Sequence, residues 1–348
     1  MRLAFSASFS VLFVIGLALT ASAQAPAAAP PAAKPAATAP AAKAAAPLRA
    51  KRVVPGVITT ISPKNDASEI FSGPRPIVEI QADRELAWTP NYLPQSETLL
   101  DETKEVVFRR EVWCLEFSFK PVRLIEVDIP LPTGKMQRKL VHYMVYRVRN
   151  YGQHVAPIEK KTERGLVTYD PAKVDAPIRL FPRLFVPNFT LESLEKKTAY
   201  NDRINPIAVA AIQEREDPAI KLYNNAEICA VALDVSDKDT DRGVWGVTVW
   251  EDVDPNINFF SVYIKGLTNA YRWDDPAGGY AKGQPPGTGR TYTHKTLQLN
   301  FFKTGDADFQ HEEEYHYGVP FRENPAEEQR LLGFYNLREP LDYLWVYR

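Results

Sequence analysis

The sequence predicts a mainly β fold, a β-sandwich with one or two short helices and a C-terminal β extension. Apolar side chains alternate with polar ones along many short segments, which is the period of a half-buried strand. Turns rich in Pro, Gly, Asn and Asp separate these segments, and only two stretches carry helix signals. So few helices leave no crossover connections for a parallel sheet, and antiparallel sheets packed face to face are therefore expected.

The first residues predict export. A short positive start, Met1-Arg2, precedes an apolar run over residues 3–19, and Ala21-Ser22-Ala23 has the small-x-small pattern of a signal peptidase site. The run is shorter than the ~20 apolar residues that a spanning helix needs. Residues 1–23 are therefore predicted to be a signal peptide, with a retained anchor as the alternative. A periplasmic or extracellular location is expected, with no integral membrane span after cleavage.

Four further regions follow. Residues 24–50 contain 15 Ala and 6 Pro and predict a disordered tether, since proline at this density forbids a long helix. Residues 51–105 are predicted to form an extended N-terminal segment. Residues 106–305 are predicted to form the β-sandwich core, as one large or two small units, and residues 306–348 an extension that packs on it.

Strands are predicted where apolar residues alternate along the chain. The candidates are residues 106–119, 123–129, 140–149, 178–186, 228–235, 244–250, 259–267, 295–302 and 341–347. Pro182 places the fourth candidate at an edge or a bulge, because proline lacks the N–H that a ladder requires. In the segment 295–302 the apolar side chains are expected to face the core, and the polar Gln298 and Asn300 to face outward.

Two helices are predicted from capping and proline signals. Asn205 can cap a helix that has Pro206 in its first turn and continues over residues 207–215 without a breaker. Asp217, followed by proline, closes that helix. A weaker signal covers residues 325–332, which begin with proline.

Four segments carry a resemblance to a known class of module. They are residues 143–152 (YMVYRVRNYG), 185–191 (FVPNFTL), 243–250 (GVWGVTVW) and 259–263 (FFSVY). In pattern and order they resemble segments of exported telokin-like, immunoglobulin-like β-sandwich modules over residues 106–270. The chain as a whole also resembles uncharacterised exported bacterial proteins. The resemblance implies an immunoglobulin-like β-sandwich that interacts rather than catalyses, and this sequence departs from it by long insertions around 153–177 and 270–290.

The charge balance argues against nucleic acid as a partner. Beyond position 50 the chain has 43 acidic and 38 basic residues, a net charge of −5. Nucleic-acid binding requires a basic stripe, and tight binding to an anionic membrane surface requires a basic excess as well. An envelope protein or a polysaccharide is left as the expected partner.

One loop, DKDTDRG, suggests a metal. Asp237, Asp239 and Asp241 alternate in it, and such carboxylates can converge on Ca²⁺. The helix-loop-helix calcium pattern is excluded, because its Gly and Glu positions hold Arg242 and Thr248. A looser calcium site and a solvated turn are both left open, and no other cofactor is predicted.

Tyr271, Arg272 and Trp273 are the candidate binding residues. Exposed Tyr and Trp beside carboxylates can form a platform for a sugar or a peptide, although buried residues that anchor a long loop would give the same sequence.

Catalytic motifs are not found. No Gly-x-Ser-x-Gly elbow occurs, and His311 and His316 are five apart rather than four, which turns them to different faces of a helix.

The chain has two cysteines, Cys114 and Cys229. Export to an oxidising compartment favours a disulfide. The predicted strand phases, however, place Cys114 with polar neighbours and Cys229 with apolar ones. A disulfide and two buried free thiols are therefore both left open.

Taken together, these patterns predict an exported, non-catalytic β-sandwich protein that binds an envelope protein or a polymer. The alternative is a secreted carbohydrate-active hydrolase with a carboxylate pair, for example among Glu251, Asp252 and Asp254. Glycoside hydrolysis requires two carboxyl groups about 5–9.5 Å apart in a cleft. The hydrolase hypothesis places that cleft near Tyr271 and Trp273, so a pair of convergent acids in the pocket there would favour it over the binding hypothesis.

Overall fold

A computed structural model of the chain describes residues 58–75, 106–130, 133–161, 163, 165, 167–237, 239–279, 288–303 and 315–348. Antiparallel sheets dominate this part, which confirms the mainly β class. The predicted signal peptide (1–23), the tether (24–50) and His311 lie outside the described residues. Among the described helices, none is both long and apolar enough to cross a membrane.

The described residues contain 19 strands. They are β1 (Thr59–Ile61), β2 (Phe71–Arg75), β3 (Val106–Arg109), β4 (Val112–Trp113), β5 (Glu116–Phe119), β6 (Arg123–Pro130), β7 (Met136–Arg149), β8 (His154–Lys161), β9 (Val167–Asp175), β10 (Arg183–Leu184), β11 (Asn188–Ser193), β12 (Thr198–Asn201), β13 (Ala232–Leu233), β14 (Val244–Trp250), β15 (Phe259–Lys265), β16 (Tyr271–Asp274), β17 (Thr291–Phe302), β18 (His316–Tyr317) and β19 (Tyr343–Tyr347). The helices are α1 (Pro206–Glu216) and α2 (Pro325–Gly333).

The first large sheet is built around β7, in the order β1-β5-β7-β14, and β6 also pairs with β7. Strand β6 pairs with the first half of β7 and β5 with its second half, while β14 runs along the other edge. Residues 141–146 of β7 are buried in succession. Burial on both faces is typical of a central strand and agrees with the apolar run in this segment.

The second large sheet is built around β17, in the order β12-β11-β15-β17-β16, with β18 and β19 also paired to β17. The first part of β17 pairs with β16, from Asp274↔Thr291 to Tyr271↔His294. Its later part pairs with β15 and with the terminal strand β19. The C-terminal strand is therefore an integral member of this sheet.

The two large sheets share one hydrophobic core. Aromatic contacts join the two sheets directly. The ring centroids of Phe117 in the first sheet and Phe189 in the second are 6.2 Å apart, and those of Phe119 and Phe301 are 6.0 Å apart. Tyr146 of β7 is fully buried with them, 4.9 Å from Phe189. Burial of these side chains supplies the main driving force for packing the sheets.

Each helix packs apolar residues in a smaller cluster. Ala208 and Ile212 of α1 join Val141 and Val249 of the first sheet, and Leu332 of α2 belongs to a cluster that includes Phe259 of β15. Helix α1 begins as predicted, with the cap Asn205 followed by proline. Helix α2 begins at the predicted proline, and its cap, Asn324, was not predicted. The Asn205 side-chain oxygen accepts hydrogen bonds from the backbone amides of Ile207 and Ala208, at 3.1 Å each.

Several strand predictions are corrected by tertiary contacts. In the segment 178–186 only Arg183 and Leu184 form a strand, since Pro182 interrupts the ladder, and Leu180 is 79% exposed. In the segment 228–235 a 3₁₀ turn over Ile228–Ala230 precedes the two-residue strand β13. The long strand predicted over residues 106–119 divides into β3, β4 and β5.

The prediction that Gln298 and Asn300 face solvent is wrong. Both side chains are buried under the C-terminal part of the chain. The Gln298 amide donates to the Tyr335 carbonyl at 2.9 Å, and the Asn300 amide donates to the Leu341 carbonyl at 2.7 Å. Alternation placed them on the correct face, but that face is covered by another segment, and hydrogen bonds offset the cost of burying them.

Candidate functional site

Strands β16 and β17 carry a row of aromatic side chains on one face. Tyr271 and Trp273 are two residues apart on β16, so they project to the same side. Trp273 pairs with Tyr292 of β17, and the ring centroids of Tyr271 and Tyr292 are 6.0 Å apart. Tyr292 is 54% exposed, which leaves its ring accessible to a ligand.

Arginines stack on two of these rings. The guanidinium carbon of Arg110 lies 4.0 Å from the ring centroid of Tyr271, and that of Arg290 lies 3.6 Å from the ring centroid of Trp273. The ring quadrupole attracts a cation over its face. Each stacked pair therefore holds a charged group and an aromatic group in a fixed relative position.

These groups surround a cavity of about 230 Å³, here named the arginine–aromatic cavity. Its described lining consists of Ile70, Arg109, Arg110, Tyr271, Trp273, Arg290 and Tyr292. Ile70 is fully buried and supplies an apolar wall. Pockets that take drug-sized ligands measure about 300–1,000 Å³, so this cavity fits a single ring-sized unit with a substituent.

The positive charge of Arg290 is compensated locally. Its Nε and Nη2 atoms donate to the two carboxylate oxygens of Asp275 at 2.7 and 3.0 Å. A bidentate pair of this kind fixes the plane of the guanidinium, and the hydrogen bond to Asp275 raises the pKa of Arg290. Arg290 is therefore positioned by Asp275 to cover Trp273.

Arg109 and Arg110 are held without a carboxylate partner among the described residues. Arg110 donates to two neutral acceptors, the carbonyls of Glu69 (2.8 Å) and Tyr271. Arg109 lies over the ring of Tyr169, 3.6 Å from its centroid. The carboxylate of Glu69 is buried and bound by Lys295 at 2.7 Å. Among the described residues, therefore, no carboxylate compensates these two positive charges in the cavity lining.

Arg272, the third candidate from the sequence, lies on the opposite face of β16. Its side chain is exposed, and its guanidinium carbon is 3.9 Å from the ring centroid of Tyr347 on β19. The structure thus brings Tyr271 and Trp273 together in the cavity lining and separates Arg272 from them. That any of the three binds a ligand stays a prediction.

The aspartate loop is occupied by internal contacts. Asp237 accepts hydrogen bonds from the amides of Asp239 (2.9 Å) and Thr240 (2.6 Å), and these backbone hydrogen bonds lower its pKa. Asp241 pairs with Arg147 and Arg149. No group of three or more potential metal ligands converges among the described residues. This geometry fits a hydrogen-bonded turn better than an oxygen cage, and calcium binding stays a prediction.

The carboxylates named for the hydrolase hypothesis lie away from the arginine–aromatic cavity lining. Glu251 accepts a hydrogen bond from the Asn205 side chain at 2.9 Å and lies 3.6 Å from Lys139 Nζ. Asp252 lies 3.2 Å from the same Lys139 nitrogen. Asp254 accepts from the following turn at 2.9 Å. Each of these acids thus has a structural partner.

Both cysteines are free thiols. Cys114 is buried, and desolvation raises its pKa to about 12. Cys229 is half-buried, with Sγ 3.1 Å from the carbonyl of Asn225. Nucleophilic chemistry requires the thiolate, so Cys114 is unreactive near neutral pH.

Sequence reasoning did not identify Arg109, Arg110 or Tyr292 as site residues. Arg109 and Arg110 occur as a pair of basic residues at the end of a strand, a common surface pattern, and no local signal connects them to residues more than 150 positions later. Tyr292 alternates with Thr in the exposed start of β17. Only the pairing of β16 with β17 and the packing of Arg110 on Tyr271 bring them into one site.

Comparison with known proteins finds no matching family model, no matching curated protein and no matching solved structure.

Proposed function

We propose that the chain is an exported, non-catalytic binding protein of the bacterial envelope, which holds a polymer or a partner protein at the arginine–aromatic cavity. The observation that carries this proposal is the composition of the cavity lining, three guanidinium groups and three aromatic rings beside an apolar wall. Aromatic rings bind through large rigid faces, and guanidinium groups through directed donors. Both suit recognition rather than bond cleavage.

Support for binding over hydrolysis comes from the chemistry of the described lining. Glycoside hydrolysis needs an acid and a base or nucleophile, both carboxyl groups, on either side of the scissile bond. The described lining has no carboxyl group, and the nearby Asp275 is engaged by Arg290. The hydrolase hypothesis stays a hypothesis, without a specific contact in its favour.

The proposal extends to location and to the finer fold. Residues 1–23 would direct export, residues 24–50 would act as a tether, and the two large sheets would form an immunoglobulin-like sandwich. The shared core of the sheets and the aromatic contacts between them support a packed pair of sheets. A tethered module of this class presents its binding face at a distance from its attachment point.

The test is co-sedimentation of the purified chain with an isolated bacterial envelope fraction, comparing Tyr292→Ala with Phe321→Ala. Phe321 is 80% exposed and lies outside the cavity lining, which makes it a matched control. Loss of one stacking ring should weaken binding roughly two- to tenfold. Equal sedimentation of the two variants would refute the assignment of the cavity as the binding site.

A further inference from the structure

The charges at the arginine–aromatic cavity differ in sign from those of the chain as a whole. Beyond position 50 the net charge is −5. At the cavity, Arg109 and Arg110 have no carboxylate partner among the described residues, while Arg290 is paired with Asp275. Desolvating a guanidinium without a counterion is costly. A partner that supplies an anion would therefore gain most at Arg109 and Arg110.

The donors of these two side chains are only partly used. Arg110 donates one hydrogen bond to the Glu69 carbonyl and another to the Tyr271 carbonyl. A guanidinium carries five N–H donors, so the contacts of Arg110 with the described residues leave donors for a ligand. Arg109 is engaged through its face, by stacking on Tyr169, and stacking leaves the donor edge of a guanidinium uncovered. Contacts with their neighbours therefore hold both arginine side chains in place and leave N–H donors of each for a ligand.

The ring faces add a second requirement. Tyr292 is 54% exposed and stands beside Tyr271, whose ring is already covered by Arg110. An exposed tyrosine next to an apolar wall favours a ligand with one apolar face and polar edges. The volume of about 230 Å³ restricts it to a single ring, and a pyranose that bears an acid group has these properties.

Resting on the proposed binding role, we propose that the arginine–aromatic cavity takes an anionic sugar unit of an acidic polysaccharide, with its ring at Tyr292 and its acid group at Arg109 and Arg110. A carboxylate or a phosphate on the sugar presents the same oxygen acceptors to a guanidinium. An acidic peptide is less suited, because an added strand needs free main-chain acceptors and the carbonyl of Tyr271 already accepts from Arg110.

The experiment is equilibrium binding of the purified chain to three probes: polygalacturonate, its fully methyl-esterified form and poly-L-glutamate. Polygalacturonate should bind, and methyl esterification, which removes the negative charge and adds one methyl group per sugar, should weaken binding at least about tenfold. Poly-L-glutamate should bind more weakly than polygalacturonate. Equal binding of the esterified polymer would overturn the anionic assignment, and equal binding of poly-L-glutamate would replace the sugar by an acidic peptide.

Substitutions of single arginines test whether polygalacturonate binding depends on the cavity. Arg109→Gln should weaken polygalacturonate binding by about tenfold, whereas Arg109→Lys, which keeps the charge, should recover part of the loss. Arg338→Gln, an exposed arginine outside the cavity lining, should bind as the unmodified chain does. Loss of binding in Arg338→Gln equal to that in Arg109→Gln would show non-specific charge attraction and overturn the proposal.

Competition with inorganic phosphate separates the two anion types. Displacement of polygalacturonate by millimolar phosphate indicates that the site prefers a phosphate-bearing sugar, and resistance indicates that it prefers a carboxylate-bearing one. Either result supports the anionic site. If no probe binds while envelope co-sedimentation still depends on Tyr292, the anionic-sugar inference fails and the proposed function stands. If that dependence is absent as well, both fail.

Discussion

The buried histidine His142 predicts a specific loss of stability in acid. It lies on β7, is 2% exposed, and its Nε2 atom is 3.0 Å from the Tyr315 hydroxyl. Nδ1 is buried without a hydrogen-bond partner among the described residues. Burial, with a smaller effect of Lys303, lowers the pKa of His142 to about 3. The native state therefore keeps this ring neutral under conditions that protonate it in the unfolded chain.

The sign and size of this stability change follow from the linkage between proton binding by His142 and folding. An unfolded histidine titrates near pH ~6.5, so below that pH the unfolded chain binds one proton more than the native state. Native stability is complete above pH ~6.5 and falls by about 1.4 kcal/mol per pH unit as the pH decreases toward the folded pKa. Between pH 7 and pH 5 this one residue should remove about 2 kcal/mol from the free energy of unfolding.

Urea denaturation followed by tryptophan fluorescence at pH 7, 6 and 5 measures this effect. The variant His142→Gln keeps a polar atom near Tyr315 and cannot titrate, so its loss between pH 7 and pH 5 should be about 2 kcal/mol smaller than that of the unmodified chain. His294→Gln, at an exposed position, is the matched control and should keep the full dependence. An identical pH dependence in the His142→Gln and His294→Gln variants would refute the reasoning.

Three further predictions concern other parts of the chain. Glu216 is buried 2.5 Å from Lys120 Nζ and 3.0 Å from Arg123, so Glu216→Gln should cost about 3–5 kcal/mol in urea denaturation; a cost below about 1 kcal/mol would contradict the importance of this cluster. A chelator should leave the melting midpoint unchanged, because Asp241 is paired with arginines, and a lower midpoint would instead support stabilising calcium. If residues 1–23 are a signal peptide, mass spectrometry of the chain recovered from bacterial cells should place its first residue at Gln24, and an intact N-terminus would indicate the retained anchor.

Local patterns were sufficient for five strands of the two large sheets and for the two helices. Period-two alternation predicted β6, β14, β15 and the core half of β17, and an apolar run on both faces predicted the central strand β7. Asn205 followed by proline predicted α1, and a starting proline predicted α2, because the geometry of a helix start depends only on adjacent residues. The sequence signal that predicts each of these elements lies within a few neighbouring residues.

Patterns failed where a distant segment changed the environment. Gln298 and Asn300 alternate as solvent-facing residues, yet the C-terminal part of the chain covers them and supplies their hydrogen-bond acceptors. Residues 178–186 contain enough apolar side chains for a core strand, but Leu180 remains exposed beside Pro182. Composition alone does not say which apolar surface finds a partner.

The amino-acid sequence by itself determined the class of the fold, the positions of its helices, and two of the aromatic residues, Tyr271 and Trp273, that line the cavity. Only the tertiary structure decided that Arg109 and Arg110 join them and that Arg272 points away. The reason is physical: alternation and capping are set by near neighbours, whereas a cavity is formed by side chains from strands far apart in the chain, and its charge depends on which of them find a counterion.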